Sequence, residues 1–284
     1  MKGIVRRILA ATGVRSGRVA GPNYLQQQVE RSWNKESRNL QWFGLKDGMS
    51  VLDLGCGPGY FVHRLANWLP KAVITALDLQ ESSLGYARSQ LGNRATMIRA
   101  SAERTGLTSE SFDFVLARLL FQHVPDPLAV AREAHRLLKC GGRVVVTDID
   151  DELFGIVEPH IAELKPLMAR YSRAQALRGG NRLIGRSLPR LLRSAGFIDL
   201  KIECVAIHSD EVGMDACFPQ LDPVPLRSLM AEGQLSQLEY TTLRDARQRL
   251  ADSHESYALT LLFMVSGVKP MPQSDLVARR PFRT

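Results

Sequence analysis

The sequence predicts an α/β fold in which helices wrap a mostly parallel sheet. Two observations lead there. Short apolar runs of β character recur at Met49–Leu54, Ala72–Leu77, Ala95–Arg99, Phe112–Ala117 and Arg143–Thr147. Helical periodicity fills the gaps between them, the alternation expected of strand–helix–strand units. A chain of 284 residues, 45% hydrophobic and 23% charged, is also long and apolar enough for a full core.

Each element has a local reason. From residue 24 to about 43 the chain reads as one helix, with Asn23 as a plausible cap. After the first strand, Phe61, Leu65, Trp68 and Leu69 fall on one helical face. Asp126-Pro127 is a cap followed by a first-turn proline. Leu128, Ala131, Ala134 and Leu138 make the buried stripe of that helix, and Gly141-Gly142 are expected to stop it. Ser187 and Pro189 open another helix that Gly196 closes. Phe197–Ile207 and Tyr257–Val268 read as two more strands.

Two longer segments interrupt this pattern. Segment 150–185 is helical and of mixed polarity, and 208–255 begins Pro-rich and acidic and ends in a helix around 234–251. Insertions near strand ends shape substrate pockets in open α/β sheets. The expected division is a basic N-terminal tail over 1–23, one domain over 24–268 carrying both insertions, and a C-terminal tail over 269–284.

Composition excludes several classes. No run approaches the roughly eighteen apolar residues of a membrane-spanning helix. Four cysteines at 56, 140, 204 and 217 form no CxxC pair, against a zinc ribbon or disulfide framework and in favour of a reducing, cytoplasmic setting. The net charge of +8 is confined to the ends: residues 1–29 carry +5, residues 269–284 carry +3, and 30–268 are neutral. A nucleic-acid binder would carry its positive field on the folded body, so no nucleic-acid partner is expected. Ile4, Val5, Ile8 and Leu9 beside Arg6 and Arg7 read as a basic tail or a docked helix. A transit peptide or a membrane-surface helix is the alternative there.

Chemistry concentrates in Val51-Leu52-Asp53-Leu54-Gly55-Cys56-Gly57-Pro58-Gly59-Tyr60, a buried strand running into a glycine turn and a helix. Glycines permit a tight turn and close approach of a ligand to backbone N–H groups. Asp78 ends the next strand, 19 residues after Gly59, where a carboxylate can accept both hydroxyls of a ribose. A dinucleotide fingerprint would place its third glycine at position 60, which is Tyr60. Cys56 reads as a small buried spacer, and Trp33, Trp42 and Phe43 as helix-packing surface ahead of a substrate box.

The 55/57/59 spacing, with Asp53 two residues ahead, resembles motif I of the class I S-adenosylmethionine-dependent methyltransferases. The resemblance runs for about 150 residues, through Ser101-Ala102-Glu103, Phe112–Arg118, Gln122-His123-Val124-Pro125-Asp126-Pro127 and Leu137-Leu138-Lys139-Cys140-Gly141-Gly142. It implies a Rossmann-like seven-stranded sheet, the last strand antiparallel, with helices on both faces and helical insertions forming a lid. It implies S-adenosyl-L-methionine as donor, with Gly55, Gly57 and Gly59 against the methionine and ribose. Asp53 would orient the loop or meet the ammonium through water. Asp78 would take the ribose hydroxyls, Leu79 and Ala102 would contact the adenine, and the carbonyl of Ala117 would receive the ammonium. Ser101 departs from the pattern, since relatives of this type often carry an aspartate there. Tyr24 resembles tyrosines that cover the donor.

Methyl transfer from a sulfonium is an in-line displacement, so alignment and desolvation supply much of the rate. A base serves an acceptor that holds a proton. His123, just after the fourth strand, is the leading base; the alternative is a histidine that caps the next helix or fills the rim. Arg118 would bind an acidic acceptor or pair with a nearby carboxylate. His160, Tyr171 and Arg178 are candidates for the acceptor pocket. No metal is expected. The motif set points to a methyltransferase acting on a hydrophobic small molecule, a specialised metabolite, with oxygen, nitrogen and carbon all open as acceptor atoms. A quinone-precursor C-methyltransferase held at a membrane, or a donor-binding scaffold without activity, are the alternatives. A monomer or homodimer is expected.

Overall fold

A computed structural model describes residues 23–272 except 154, 218–222 and 232. The basic stretches 1–22 and 273–284 lie outside the described residues. The strands are β1 (Ser50–Leu54), β2 (Val73–Asp78), β3 (Thr96–Arg99), β4 (Phe112–Arg118), β5 (Leu138–Asp148), β6 (Gly155–Glu158), β7 (Ile198–His208) and β8 (Tyr257–Val268). Their order is β3-β2-β1-β4-β5-β8, with β7 along the outer side of β8 and β6 pairing with the start of β8. The first five run parallel, and β8 is antiparallel to its neighbours. The expected last antiparallel strand is therefore present.

Alternation along the strands builds two core layers. Val51, Ile74, Phe114, Leu116 and Val145 face one side, where they meet α1 (Asn23–Trp42), α2 (Tyr60–Trp68) and α3 (Glu81–Leu91). Leu52, Leu54, Val115, Ala117, Val144 and Val146 face the other, against α4 (Pro127–Leu137) and, following α5 (Leu164–Ala176), α6 (Leu188–Ser194). Strands buried on both faces need apolar residues at every position, which is why these runs are continuous.

Helix α1 docks through Val29, Trp33, Glu36 and Leu40, one face at helical spacing. Trp33 meets Phe61 and Trp68 edge-on, with centroids at 5.5 and 5.8 Å. Trp42 is exposed, with Lys201 over its ring at 4.8 Å.

The structure differs from the sequence expectation in three places. Segment 150–185 is helical only over α5, and before it β6 adds an eighth strand to the sheet. Ile156 and Val157 have β character, and the start of β8 offers a free edge for them. Helix α4 stops at Leu137, before the glycine pair, and Gly141-Gly142 fall inside an irregular start of β5. Lys269, assigned to the tail, is part of the body: it is buried, pairs with Glu110 at 3.1 Å and donates to the Leu138 carbonyl at 2.8 Å.

Segment 208–255 forms α7 (Ser209–Val212), α8 (Met214–Cys217), α9 (Pro223–Ala231) and α10 (Gln237–Asp252). A capping box between Ser236 and Glu239 starts α10. Arg170 of α5 pairs with Glu239 and donates to the Gln234 carbonyl at 3.2 Å, so the two insertions are joined. Among the described residues no helix is long and apolar enough to cross a membrane.

Candidate active site

Register gathers the motif residues at one edge. Leu54 is aligned with Leu77 of β2 and with Ala117 of β4, so the chain leaves all three strands at the same level. Strand order reverses between β1 and β4, and open α/β sheets bind ligands at such a crevice. The glycine turn crosses this point. Gly55 and Cys56 both donate to the Leu77 carbonyl, at 2.8 and 2.9 Å. Gly55, Gly57 and Gly59 have φ of +74, +54 and +80°, a region that costs other residues about 1–2 kcal/mol.

The three glycines are needed for different reasons. A Cβ at Gly55 would fall 2.7 Å from the Leu120 side chain, and one at Gly59 would fall 2.8 Å from Ala87 Cβ. A Cβ at Gly57 would meet nothing within 4 Å, because the backbone there faces open space. Gly59→Ala is therefore expected to cost about 1–3 kcal/mol of stability in urea unfolding. Gly57→Ala should cost about 1 kcal/mol of backbone strain and act mainly on ligand binding.

Asp78 holds this geometry. Its Oδ2 accepts the Gly57 N–H at 2.8 Å and its Oδ1 accepts the Gln80 N–H at 2.8 Å. Each oxygen keeps a further lone pair, as a two-hydroxyl ribose requires. Leu79 is exposed beside it, an apolar surface an adenine could cover. Ser101 accepts the Glu103 N–H at 3.3 Å in a local turn and keeps its own hydroxyl proton to donate. Ala102 is half-buried next to it, and the Ala117 side chain is in the core, so Ala117 can serve only through its backbone. The set fits an adenosyl donor: open backbone at Gly57, a ribose acceptor at Asp78 and an apolar shelf at Leu79. Asp53 is buried below the loop, and burial pushes its carboxyl up to about 7 against the opposing pull of Arg118.

The two proposed catalytic side chains lie at the carboxyl end of β4 and in the turn just after it. Arg118 is buried, and its Nε lies 3.0 Å from both oxygens of Glu36. Its Nη2 donates to the Gln28 carbonyl and to Ser32 Oγ, each at 3.1 Å. These bonds fasten α1 to the end of β4 through Nε and Nη2. Of the two roles expected for Arg118, the pairing with a nearby carboxylate is the one seen. Tyr24, at the start of α1, is exposed and lies close to Arg31.

His123 lies in a 3-10 turn, Phe121–His123, after Leu119, whose φ of +54° is strained for a branched residue. The residue is exposed to solvent. Burial, then the cations Arg182 and Arg178, push its pKa down to about 4. Nδ1 is 2.8 Å from the Gln175 side-chain nitrogen, so the nitrogen that would take a proton already accepts a hydrogen bond. The ring is therefore neutral and weakly basic.

Helix α5 contributes Tyr171 and Gln175 to this side, with Arg178 just beyond it; Arg182 lies over the Tyr171 ring at 5.8 Å. His160 is exposed beyond β6 and joins none of these groups. Of the apolar insertion residues, Leu167 and Met168 are buried, whereas Leu153 and Ile156 are exposed. Sequence reasoning missed Glu36, Gln175 and Asp148. Asp148 ends β5 fully buried, accepts the Gln122 and Ile149 N–H groups, and is pushed up to about 7 by burial. A carboxylate interrupting the apolar face of α1 was the one available signal for Glu36. A groove of about 540 Å³ lined by Asn67, Pro70, Asn93 and Arg94 lies at the opposite, amino-terminal edge of the sheet and touches none of these residues. Among the described residues no group of three His, Cys, Asp or Glu could hold a metal ion.

Comparisons with known proteins agree with this geometry. Residues 45–196 match the family described as "Methyltransferase domain". A ubiquinone biosynthesis O-methyltransferase of Pseudomonas aeruginosa is 30% identical over 160 residues, 49% of this chain and 68% of that protein. A malonyl-[acyl-carrier protein] O-methyltransferase of Hahella chejuensis is 34% identical over 100 residues, 35% of this chain and 36% of that one. A 37.1 kDa protein in transposon Tn4556 of Streptomyces fradiae is 32% identical over 62% of this chain. The chain spans 51% of that protein's length, about half, as for other curated relatives it matches. The fold is shared with phosphoethanolamine N-methyltransferase 2 of Haemonchus contortus (TM-score 0.55, 22% identity, 84% of this chain and 53% of that one). It is shared equally with the [4+2]-cyclase SpnF (TM-score 0.55, 20% identity, 85% and 84%). Glycine loop, strand order and family match converge: the chain belongs to the class I S-adenosylmethionine-dependent methyltransferase domain family, and is related to small-molecule O-methyltransferases.

Proposed function

We propose that this protein transfers the methyl group of S-adenosylmethionine to an oxygen of a small hydrophobic molecule, a quinone-like or acyl precursor or another specialised metabolite. The observation that carries the donor half is the Gly55–Gly59 loop, held open over Gly57 by Asp78. The acceptor half is supported by the activities of the related O-methyltransferases and by the apolar residues of the two insertions. Donor activation is intrinsic to a sulfonium, so the protein's part is to align acceptor and methyl and to exclude water.

The reading assigns Gly55, Gly57, Gly59 and the Ala117 carbonyl to the methionine and ribose, Asp78 to the ribose hydroxyls, and Leu79, Ser101 and Ala102 to the adenine. Arg118 acts through α1, keeping Tyr24 near the donor edge.

Calorimetry should detect binding of S-adenosylmethionine and of its demethylated product, and none of NAD. NAD binding without adenosylmethionine binding would reverse the assignment. Asp78→Ala should weaken donor binding by about 1–3 kcal/mol, the worth of a charged hydrogen-bonding partner. Unchanged affinity in the folded variant would remove Asp78 from the site. Formation of the demethylated product with candidate phenols and acids separates an enzyme from a donor-binding scaffold.

A further inference from the structure

Gln175 is buried, and its side-chain nitrogen lies 3.1 Å from the Gln122 carbonyl oxygen and 2.8 Å from His123 Nδ1. A carbonyl oxygen can only accept. The atom facing it is therefore the amide NH2, and flipping the amide would set oxygen against oxygen. The Gln122 carbonyl also accepts the Asn181 N–H at 2.9 Å, which fills its second lone pair. Gly180 closes the arrangement, since a Cβ there would fall 2.3 Å from that carbonyl and 2.6 Å from the amide nitrogen. The second amide hydrogen is left for His123 Nδ1, which must be unprotonated. A neutral imidazole with a bare Nδ1 carries its proton on Nε2. Among the described residues nothing accepts from Nε2, on a ring that is open to solvent at the carboxyl end of β4.

We propose that His123 presents an Nε2–H donor to the acceptor's reacting oxygen, that Gln175 is the positioning residue that sets this tautomer, and that the acceptor is therefore bound as an oxyanion, a phenolate, enolate or carboxylate. The inference rests on the methyl-transfer reading for the word "acceptor", but the tautomer does not. The step balances without a base. An oxygen lone pair forms the new C–O bond, and the S–C pair returns to sulfur. The negative oxygen and positive sulfonium both become neutral, so no proton needs a home on His123. Charged groups facing the ring from its surroundings are Arg178 and Arg182, the latter paired with Asp151; Asp148 lies behind, holding the Gln122 N–H. Both arginines disfavour an imidazolium and so keep the ring in its neutral form.

The test is nitrogen-15 NMR of the histidine side chains in the full chain at pH 7.5, with His123 assigned by its disappearance in His123→Asn. The expected spectrum has a pyridine-type Nδ1 and a pyrrole-type Nε2. Gln175→Glu replaces the donor by an acceptor, so the proton should move to Nδ1, with folding checked by thermal unfolding. Gln175→Met is the second variant: it removes the amide and should abolish the downfield-hydrogen-bonded Nδ1 signature without imposing the other tautomer. In the presence of S-adenosylhomocysteine, 4-nitrophenolate should shift the Nε2–H resonance and 4-nitroanisole should not. Gln175→Glu should weaken the nitrophenolate response by about tenfold or more, as loss of a charge-assisted hydrogen bond does. A wild-type Nδ1–H tautomer, an imidazolium at pH 7.5, no shift with nitrophenolate, or an equal shift with nitroanisole would each overturn the proposal. Failure of S-adenosylhomocysteine to bind at all would instead overturn the methyl-transfer reading.

Discussion

Glu36→Ala is expected to cost about 3–5 kcal/mol of unfolding free energy, the range for breaking a buried ion pair from one side. The pair joins α1 to β4 across 82 residues of sequence, and both side chains are buried, Arg118 at 9% and Glu36 at 1% exposure. Without Glu36 the guanidinium keeps the Gln28 carbonyl, Ser32 Oγ and the Phe61 ring, and a cation stays out of water without its hydrogen-bonded counter-charge. Urea unfolding measures the loss. A cost below about 1 kcal/mol would mean that water reaches the guanidinium and the pair behaves as a surface one. Replacing both partners together, Glu36→Leu with Arg118→Met, should recover most of the stability, because apolar residues of similar volume avoid the desolvation cost. Donor affinity should fall in Glu36→Ala and not recover fully in the double variant if the pair also fixes where Tyr24 lies.

Donor affinity is expected to rise with pH and to level off near pH 7, following Asp53. Burial raises its carboxyl to about 7, Arg118 lowers it, and the charges of Asp78 and Glu36 raise it. A bound donor brings positive charge close to this carboxylate and favours its ionised form. Below pH 7 binding must release the proton, so affinity falls by up to about one factor of ten per pH unit. Calorimetry in two buffers of different ionisation heat reads the released proton directly. Asp53→Asn should flatten the profile and weaken binding above pH 7. The stability sign is opposite. A carboxyl whose folded pKa lies above its unfolded value of about 4 stabilises the fold least when ionised. Its cost is absent below pH 4, grows as pH rises to 7, and is constant above. Asp53→Asn should therefore gain stability with pH, by about 2–4 kcal/mol at pH 8 and almost nothing at pH 4. A variant that loses stability at pH 8 would mean that Asp53 is held ionised by partners in the loop.

How much of this was legible in the sequence depends on how local each constraint is. Glycines at 55, 57 and 59 are demanded by positive φ within one turn, and the strands by alternation within a few residues. Asp78 was readable because the parallel register makes the end of β2 neighbour the end of β1. Strand β6 was not, since four residues with β character become a strand only where the start of β8 has an unpaired edge. Arg118 and His123 were found as residues, but their roles could not be read from the chain.

The sequence by itself determined the strands, the glycine turn and the carboxylate that ends the second strand, because each is set by backbone conformation and hydrophobic period over short spans. Only the tertiary structure decided that Arg118 is spent on Glu36 and that His123 faces a fixed amide on Gln175, 52 residues away. Charge pairing and tautomer depend on which groups meet in space, and on how much water is left between them. Neither property is encoded at the position of either partner alone.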